Sequence, residues 1–188
     1  MKIYTAAQAQ QTILRRRALN RTEYSPVTLR RTEEFFGPGV TPPQAVDQIL
    51  RSVEEQGDAA VKRWSALLDG YSSEAITVLP QALEQAWRQL PPKLRQTMQA
   101  AADRIRAFHQ RQPLQSWSTT EMGGQLGQRF TPIERVGVYV PGGTAPLPSS
   151  LLMSVIPAQV AGVGQIYIAT PPEPAQPILA AAYLCGVQ

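Results

Sequence analysis

The chain has 188 residues, a formal net charge of +4 and a single cysteine, Cys185. That length suits one domain, or one domain and part of another, and it is enough to bury a hydrophobic core. One cysteine excludes an internal disulfide, and neither a bilayer-spanning apolar run nor a signal-peptide pattern occurs, so the sequence predicts a cytoplasmic protein without a membrane partner.

Positive charge is concentrated towards the start of the chain, in Arg15–Arg17 and in Arg30–Arg31. A basic cluster of this kind can indicate nucleic-acid binding. However, no aromatic residues alternate with these arginines and no nucleic-acid motif occurs, so the pattern favours a solvent-exposed or partner-facing arm. We therefore expect no nucleic-acid partner.

Residues 1–40 are predicted to form an arm and a linker. A thin apolar stripe predicts a helix over Met1–Asn20. The stretch Arg21–Gly39 shows no sustained period, and Gly37-Pro38-Gly39 within it is typical of a linker. An arm and a linker in front of a core suggest docking onto another chain or another part of the same chain.

Residues 41–134 are predicted to form a mainly helical segment that ends in a hairpin. Thr41 is a good N-cap, the two prolines after it suit a first helical turn, and Gln44 completes a capping box. Gly57 is predicted to end this helix, and Asp58 is predicted to cap the next one.

The next helices carry two residues that could be mistaken for ligand sites. Trp64 is predicted to be a core residue rather than a stacking platform for a ligand. Pro80 begins a short helix, and Pro91-Pro92 separates it from a longer amphipathic helix that ends near His109. His109 is the only histidine in the sequence. Zinc needs several converging ligands, so one histidine and one distant cysteine predict no metal site in this chain.

A β-hairpin is predicted over Gln115–Phe130. Its strands, Trp117–Glu121 and Gln125–Phe130, flank Gly123-Gly124, which predicts a two-residue turn. Glycine supplies the positive φ angles that such a turn requires.

Residues 135–188 begin with a strand and a glycine loop. Valines alternate with Gly137 and Tyr139 over Val136–Val140, which indicates a strand, and Pro141-Gly142-Gly143 ends it abruptly. Such a loop lies at the carboxyl end of its strand, where open α/β sheets bind ligands, although it is not the GxGxxG dinucleotide fingerprint. A ligand-binding loop and a tight turn that only permits close packing both stay open.

A helix and a second strand complete one βαβ unit. Apolar residues over Leu151–Ile156 follow helical spacing, with Ser149 or Ser150 as the predicted N-cap. Ile166–Ile168 then indicates a second buried strand, and a last helix is closed by Gly186. The predicted fold class is α/β, an N-terminal helical segment and β-hairpin followed by the first half of a Rossmann-like parallel sheet.

Several ordered segments resemble one enzyme family. They are VEEQGDAAVKRWSALLD, ADRIRAFHQRQ, LGQRFTPIERVGVYVPGG, VGVYVPGGTAPLPSSLLMSVIPAQVAGV, ATPP and AAYLCGVQ. Over Thr41–Gln188 the chain resembles the histidinol dehydrogenases, zinc- and NAD-dependent enzymes that end histidine biosynthesis by oxidising L-histidinol to L-histidine with two NAD. The resemblance implies a histidinol substrate and a homodimer in which the N-terminal arm is intertwined with the partner.

The resemblance implies one cofactor-binding residue in this chain. Tyr139 matches the NAD-contacting tyrosine of the family's VGxYxPGG motif, and a phenol there can pack on a cofactor ring and donate a hydrogen bond. The chain stops at Gln188, where the family continues into a GGAQ segment, and the family's zinc ligands and proton-transferring Glu and His lie further on. The resemblance therefore predicts the N-terminal part of such an enzyme, with no catalytic or metal-binding residue and no activity alone.

Two other functional classes stay open from the sequence. One is a freestanding nucleotide-binding module without catalysis, and the other is a protein-interaction module that uses the basic arm. Cofactor binding by the isolated chain would favour the first class. Salt-sensitive binding to nucleic acid would favour the basic arm as an interaction surface.

Overall fold

The computed structural model of the chain describes residues 2–15, 24–112, 115–142 and 145–187. Backbone contacts divide the chain into two compact units, Met1–Ser72 and Ser73–Gln188. The division of the chain into segments 1–40, 41–134 and 135–188 stays a prediction.

The first unit is helical wherever the structure describes regular elements. Its helices are α1 (Ala6–Gln11), α2 (Pro26–Phe36), α3 (Pro42–Gln56) and α4 (Asp58–Trp64), and a π-helical turn over Ser65–Asp69 continues α4. The helix predicted over Met1–Asn20 is wrong in extent, because α1 ends at Gln11. The hydroxyl of Thr12 donates to the carbonyl oxygen of Gln8 at 2.6 Å and so takes the acceptor that the next helical N–H would use. Residues 16–20 lie outside the described residues.

Helix α2 occupies a stretch for which no regular structure was predicted. Ser25 caps it, since its Oγ accepts from the N–H of Thr28 at 3.0 Å, and Pro26 fills the first helical position. Gly37 ends the helix at φ 101°. The predicted linker is a fixed turn, because the N–H of Gly39 donates to Oε1 of Glu33 at 3.0 Å.

The predicted start of α3 is confirmed. Oε1 of Gln44 accepts from the N–H of Thr41 at 2.8 Å, and Pro42 is the first helical residue. The prediction for Asp58 is wrong, because the N-cap of α4 is Gly57 at φ 57° and Asp58 is already helical. The left-handed conformation of that glycine joins α3 directly to α4 without a separate capping residue.

Trp64 has a packing role in the first unit. Its ring is half-buried and stacks on Phe36 with 5.1 Å between centroids. Its indole Nε1 donates to Oγ of Ser52 at 2.5 Å, so the polar edge of the ring is also satisfied.

The second unit combines helices with two small sheets. Its elements are α5 (Pro80–Gln89), α6 (Pro92–His109), β1 (Trp117–Thr119), β2 (Leu126–Gln128), β3 (Arg135–Tyr139), α7 (Pro148–Val160), β4 (Gln165–Ala169) and α8 (Gln176–Cys185). Strands β1 and β2 pair antiparallel, whereas β3 and β4 pair parallel around the α7 crossover. The predicted α/β class, with its hairpin and βαβ unit, is confirmed.

Two local predictions in this unit are wrong. Residues 120–125 connect β1 to β2, so the hairpin lacks the two-residue turn at Gly123-Gly124. Of these glycines only Gly123 has a positive φ, 76°, whereas such turns commonly need it at both positions. Helix α7 begins at Pro148, so Ser149 and Ser150 lie in its first turn rather than at the N-cap. The fixed φ of proline suits that first position.

The core of the second unit lies between the parallel sheet and its helices. Val140, Leu151, Val155 and Ile156 are its largest fully buried side chains. Helices α5, α6, α7 and α8 all contribute to this one cluster, and Trp87 of α5 stacks on Tyr183 of α8 at 6.3 Å. The helices therefore cover the sheet face that carries the alternating valines.

Candidate functional site

The carboxyl end of β3 turns Tyr139 away from the core. Val140, the next residue, is fully buried, and its N–H donates to the carbonyl oxygen of Ala169 at the end of β4, at 2.8 Å. Successive side chains of a strand point to opposite faces. The ring of Tyr139 accordingly lies on the face opposite Val140 and is 68% exposed.

An open surface surrounds Tyr139 on this face of the sheet. Gly137 lies opposite Tyr167 in the parallel register, and Tyr167 is 46% exposed. A Cβ built on Gly137 would meet no atom within 4 Å. The surface therefore has two exposed phenols and a flat gap where Gly137 lacks a side chain, which leaves room for a planar group.

The loops that follow the two strands touch each other. A Cβ built on Gly142, in the loop after β3, would lie 3.0 Å from Cγ of Pro171, in the loop after β4. That distance is tighter than nine in ten real Cβ contacts, so a Cβ here would require the proline ring to shift by a few tenths of an ångström. Close packing thus accounts for Gly142, and Gly143 lies outside the described residues.

The loop after β4 carries an acidic residue in an unusual backbone conformation. Glu173 has φ 55°, and it is the one non-glycine residue with positive φ in the described part of the chain. Its side chain is exposed. Non-glycine residues are uncommon in this region, and such strain is frequently found at functional sites. The sequence analysis did not single out Glu173, which lies in the loop between β4 and α8.

The histidine and the cysteine are far from forming a metal site. His109 is the last residue of α6, and its ring makes an edge contact with Phe108 at 5.3 Å. Burial raises the pKa of the Cys185 thiol to about 11, and the nearby Arg106 guanidinium partly offsets that effect. Among the residues that the structure describes, no three His, Cys, Asp or Glu side chains are grouped to hold a metal ion.

A membrane-spanning helix needs about 20 predominantly apolar residues. No described helix combines that length with that apolarity.

Comparison with known proteins identifies relatives of the chain. The family model for histidinol dehydrogenase matches residues 40–188. The histidinol dehydrogenase of Burkholderia lata is 48% identical over 155 residues, which cover 77% of this chain and 35% of the relative. That of Thermus thermophilus is 44% identical over 143 residues, covering 76% and 34%. The chain thus spans about one third of the length of these curated relatives.

A solved structure of the same family has a similar fold. The crystal structure of histidinol dehydrogenase from Elizabethkingia anophelis superposes with a TM-score of 0.73 at 28% identity, over 85% of this chain and 39% of that one. The match to the family model extends from the turn before α3 to the end of the chain, so it includes the sheet, the glycine loop and Tyr139. The resemblance predicted over Thr41–Gln188 is confirmed, and the chain belongs to the histidinol dehydrogenase family.

Proposed function

We propose that this chain supplies the dinucleotide-contacting α/β unit of a histidinol dehydrogenase, which oxidises L-histidinol to L-histidine with two NAD. The observation that carries the proposal is the position of Tyr139, which is exposed at the carboxyl end of β3 and separated by one residue from the start of the glycine loop at Pro141. Open α/β sheets bind their ligands at this edge. In this proposal the βαβ unit is the first half of a Rossmann-like sheet.

The residues around Tyr139 fit a dinucleotide. A phenol ring can pack against a planar ring and donate one hydrogen bond, and the gap at Gly137 leaves space beside it. Bound NAD would supply hydride acceptance, while Tyr139 would bind and orient the cofactor. The backbone hydrogen bond from Val140 to Ala169 holds the end of β3 in place, so Tyr139 lies on a rigid part of the sheet.

The described residues do not fit zinc. Its protein ligands have to converge within bonding distance, and His109 and Cys185 lie in different helices with separate contacts. In the proposed enzyme, metal ligation and proton transfer belong to other segments of the family, and the chain alone binds the cofactor without turning over histidinol.

We also propose that the chain contributes to a homodimer through its first unit. Large apolar side chains are exposed there: Ile3, Ile13, Leu14, Val27, Val46 and Leu50. Exposed apolar side chains mark a protein interface where they form one contiguous patch. An N-terminal arm laid across a second copy would remove this surface from water.

The proposal is tested by titrating NAD into the chain and two Tyr139 variants. Tyr139→Phe is expected to weaken NAD binding by about 0.5–1.5 kcal/mol, because one hydrogen bond is lost. Tyr139→Ala is expected to weaken NAD binding further, because the contact of the ring with the cofactor is lost too. Tyr183→Phe is the matched control, since Tyr183 lies near the end of α8 and stacks on Trp87. If thermal stability falls in the Tyr139 variants while NAD affinity is unchanged, the cofactor assignment is wrong.

A further inference from the structure

We propose that the carboxylate of Glu173 accepts a hydrogen bond from the 2′-hydroxyl of the adenosine ribose of the dinucleotide. This inference rests on the proposed function, because it adds a second contact to the same cofactor site. It concerns a residue outside the VGxYxPGG motif, and it would make Glu173 a determinant of cofactor specificity.

The topology puts Glu173 at the correct edge of the sheet. It lies in the loop between β4 and α8, after the carboxyl end of the strand adjacent to β3. In dinucleotide-binding βαβ units an acidic side chain after the second strand binds the ribose, while the loop after the first strand faces the pyrophosphate. Here β3, α7 and β4 form a βαβ unit in the same order of elements.

The two loops are also brought together by direct packing. Pro171 is close enough to Gly142 that a Cβ on the glycine would lie 3.0 Å from the proline ring. Glu173 follows Pro171 by two residues, so their Cα atoms are at most roughly 7 Å apart. Gly142 and the loop with Glu173 therefore border one small area at the carboxyl end of the sheet.

The chemistry of the side chain suits a ribose hydroxyl. A carboxylate accepts hydrogen bonds, and a bond between an ionised group and a hydroxyl is stronger than a neutral one. Glu173 is exposed and available for contact with a ligand at this edge. The same negative charge would repel a 2′-phosphate, so Glu173 would favour NAD over NADP.

The backbone conformation agrees with a role in the site. At φ 55° a glutamate is strained relative to glycine, and the surrounding structure has to maintain that conformation. The Pro171–Gly142 packing on one side and the start of α8 on the other fix the ends of this short loop. The backbone at Glu173 is thus held from both ends of the loop.

The test compares AMP with 2′-deoxy-AMP as probes of the adenosine half of the cofactor. Calorimetric titrations are made on the unsubstituted chain, on Glu173→Ala and on Glu134→Ala. Glu134 is the control, because it is an exposed glutamate just before β3, at the opposite edge of the sheet. Glu173→Ala is expected to weaken AMP binding about tenfold, and Glu134→Ala is expected to leave it unchanged. The affinity for 2′-deoxy-AMP should be the same for Glu173→Ala and the unsubstituted chain.

A gain of binding provides a second readout that misfolding cannot mimic. Glu173→Lys is expected to raise the affinity for NADP relative to that for NAD, because lysine attracts the 2′-phosphate. The inference would be overturned if Glu173→Ala lost equal affinity for AMP and 2′-deoxy-AMP, or lost affinity for neither. If Tyr139→Ala weakens NAD binding and Glu173→Ala does not, the inference on Glu173 fails while the proposed function stands. If the unsubstituted chain binds neither NAD nor AMP, both are overturned.

Discussion

The side-chain amide of Gln159 joins the ends of two helices in the second unit. Its Nε2 donates to the carbonyl oxygen of Cys185 at 2.5 Å, and its Oε1 accepts from the guanidinium of Arg106 at 3.0 Å. The last carbonyls of a helix lack partners within that helix. Gln159 of α7 therefore supplies a partner for the end of α8 and is itself held by α6.

We predict that Gln159→Ala destabilises the chain by about 1–3 kcal/mol. The substitution leaves the Cys185 carbonyl and the Arg106 guanidinium without this partner in a half-buried position. Gln81→Ala is the control, because Gln81 is an exposed glutamine in the first turn of α5 and should change the free energy of unfolding by less than about 0.5 kcal/mol. Urea unfolding measures both. Equal small effects for the two variants would show that the bonds of Gln159 contribute nothing to stability.

We predict that the thiol of Cys185 makes the chain less stable between pH 9 and pH 11. Burial raises the thiol pKa from 9.0 to about 11 in the folded chain. Below pH 9 the thiol is protonated in both the folded and the unfolded chain, so its full contribution to the free energy of unfolding is present. Above pH 9 the unfolded state ionises first, and stability is lost as the pH rises through the folded pKa. Unfolding free energies of the unsubstituted chain and of Cys185→Ala, measured across this range, should show a flatter pH dependence for the variant. Parallel curves would contradict the prediction.

The helix starts show what the sequence alone could and could not predict. The start of α3 was predictable because Thr41 and Gln44 form a local capping pattern that the structure retains. Helix α2 was missed because its apolar period is weak, although Ser25 followed by Pro26 was a sufficient start signal. Capping chemistry was therefore more informative than periodicity in the N-terminal region.

We predict that Gly127→Ala disrupts the hairpin. A Cβ at this position would lie within van der Waals overlap of the backbone oxygen of Trp117, and a backbone atom cannot move aside without breaking the strand pairing. Gly124→Ala is the matched control in the connecting loop, because a Cβ there would meet nothing within 4 Å. The loss of strand pairing should appear as a lower melting temperature for Gly127→Ala alone. Similar melting temperatures for the two variants would mean that the strands can separate at little cost.

The candidate site was only partly visible in the sequence. Strand alternation correctly predicted that Tyr139 faces away from the valines, because the period of two is a local property of the backbone. The contact between Gly142 and Pro171 could not be predicted in this way, because it depends on how two loops meet across the sheet edge. The left-handed conformation of Glu173 likewise depends on the loop as a whole, since glutamate does not favour it locally.

We predict that the edges of the parallel sheet cause the chain to self-associate. Within the described residues β3 and β4 pair only with each other, so each strand has one edge with unpaired backbone groups. Such edges pair readily with other chains, and a charged side chain on the strand discourages that pairing. Because the first unit is itself proposed to form a dimer, sedimentation of the chain at increasing concentration should reveal species larger than a dimer. Tyr167→Lys should reduce their proportion, because it puts a charge on the open face of β4. Met122→Lys makes the same charge change at a 72%-exposed position in the hairpin loop and should leave association unchanged. If no species larger than a dimer forms at high concentration, these edges are not accessible to a further chain.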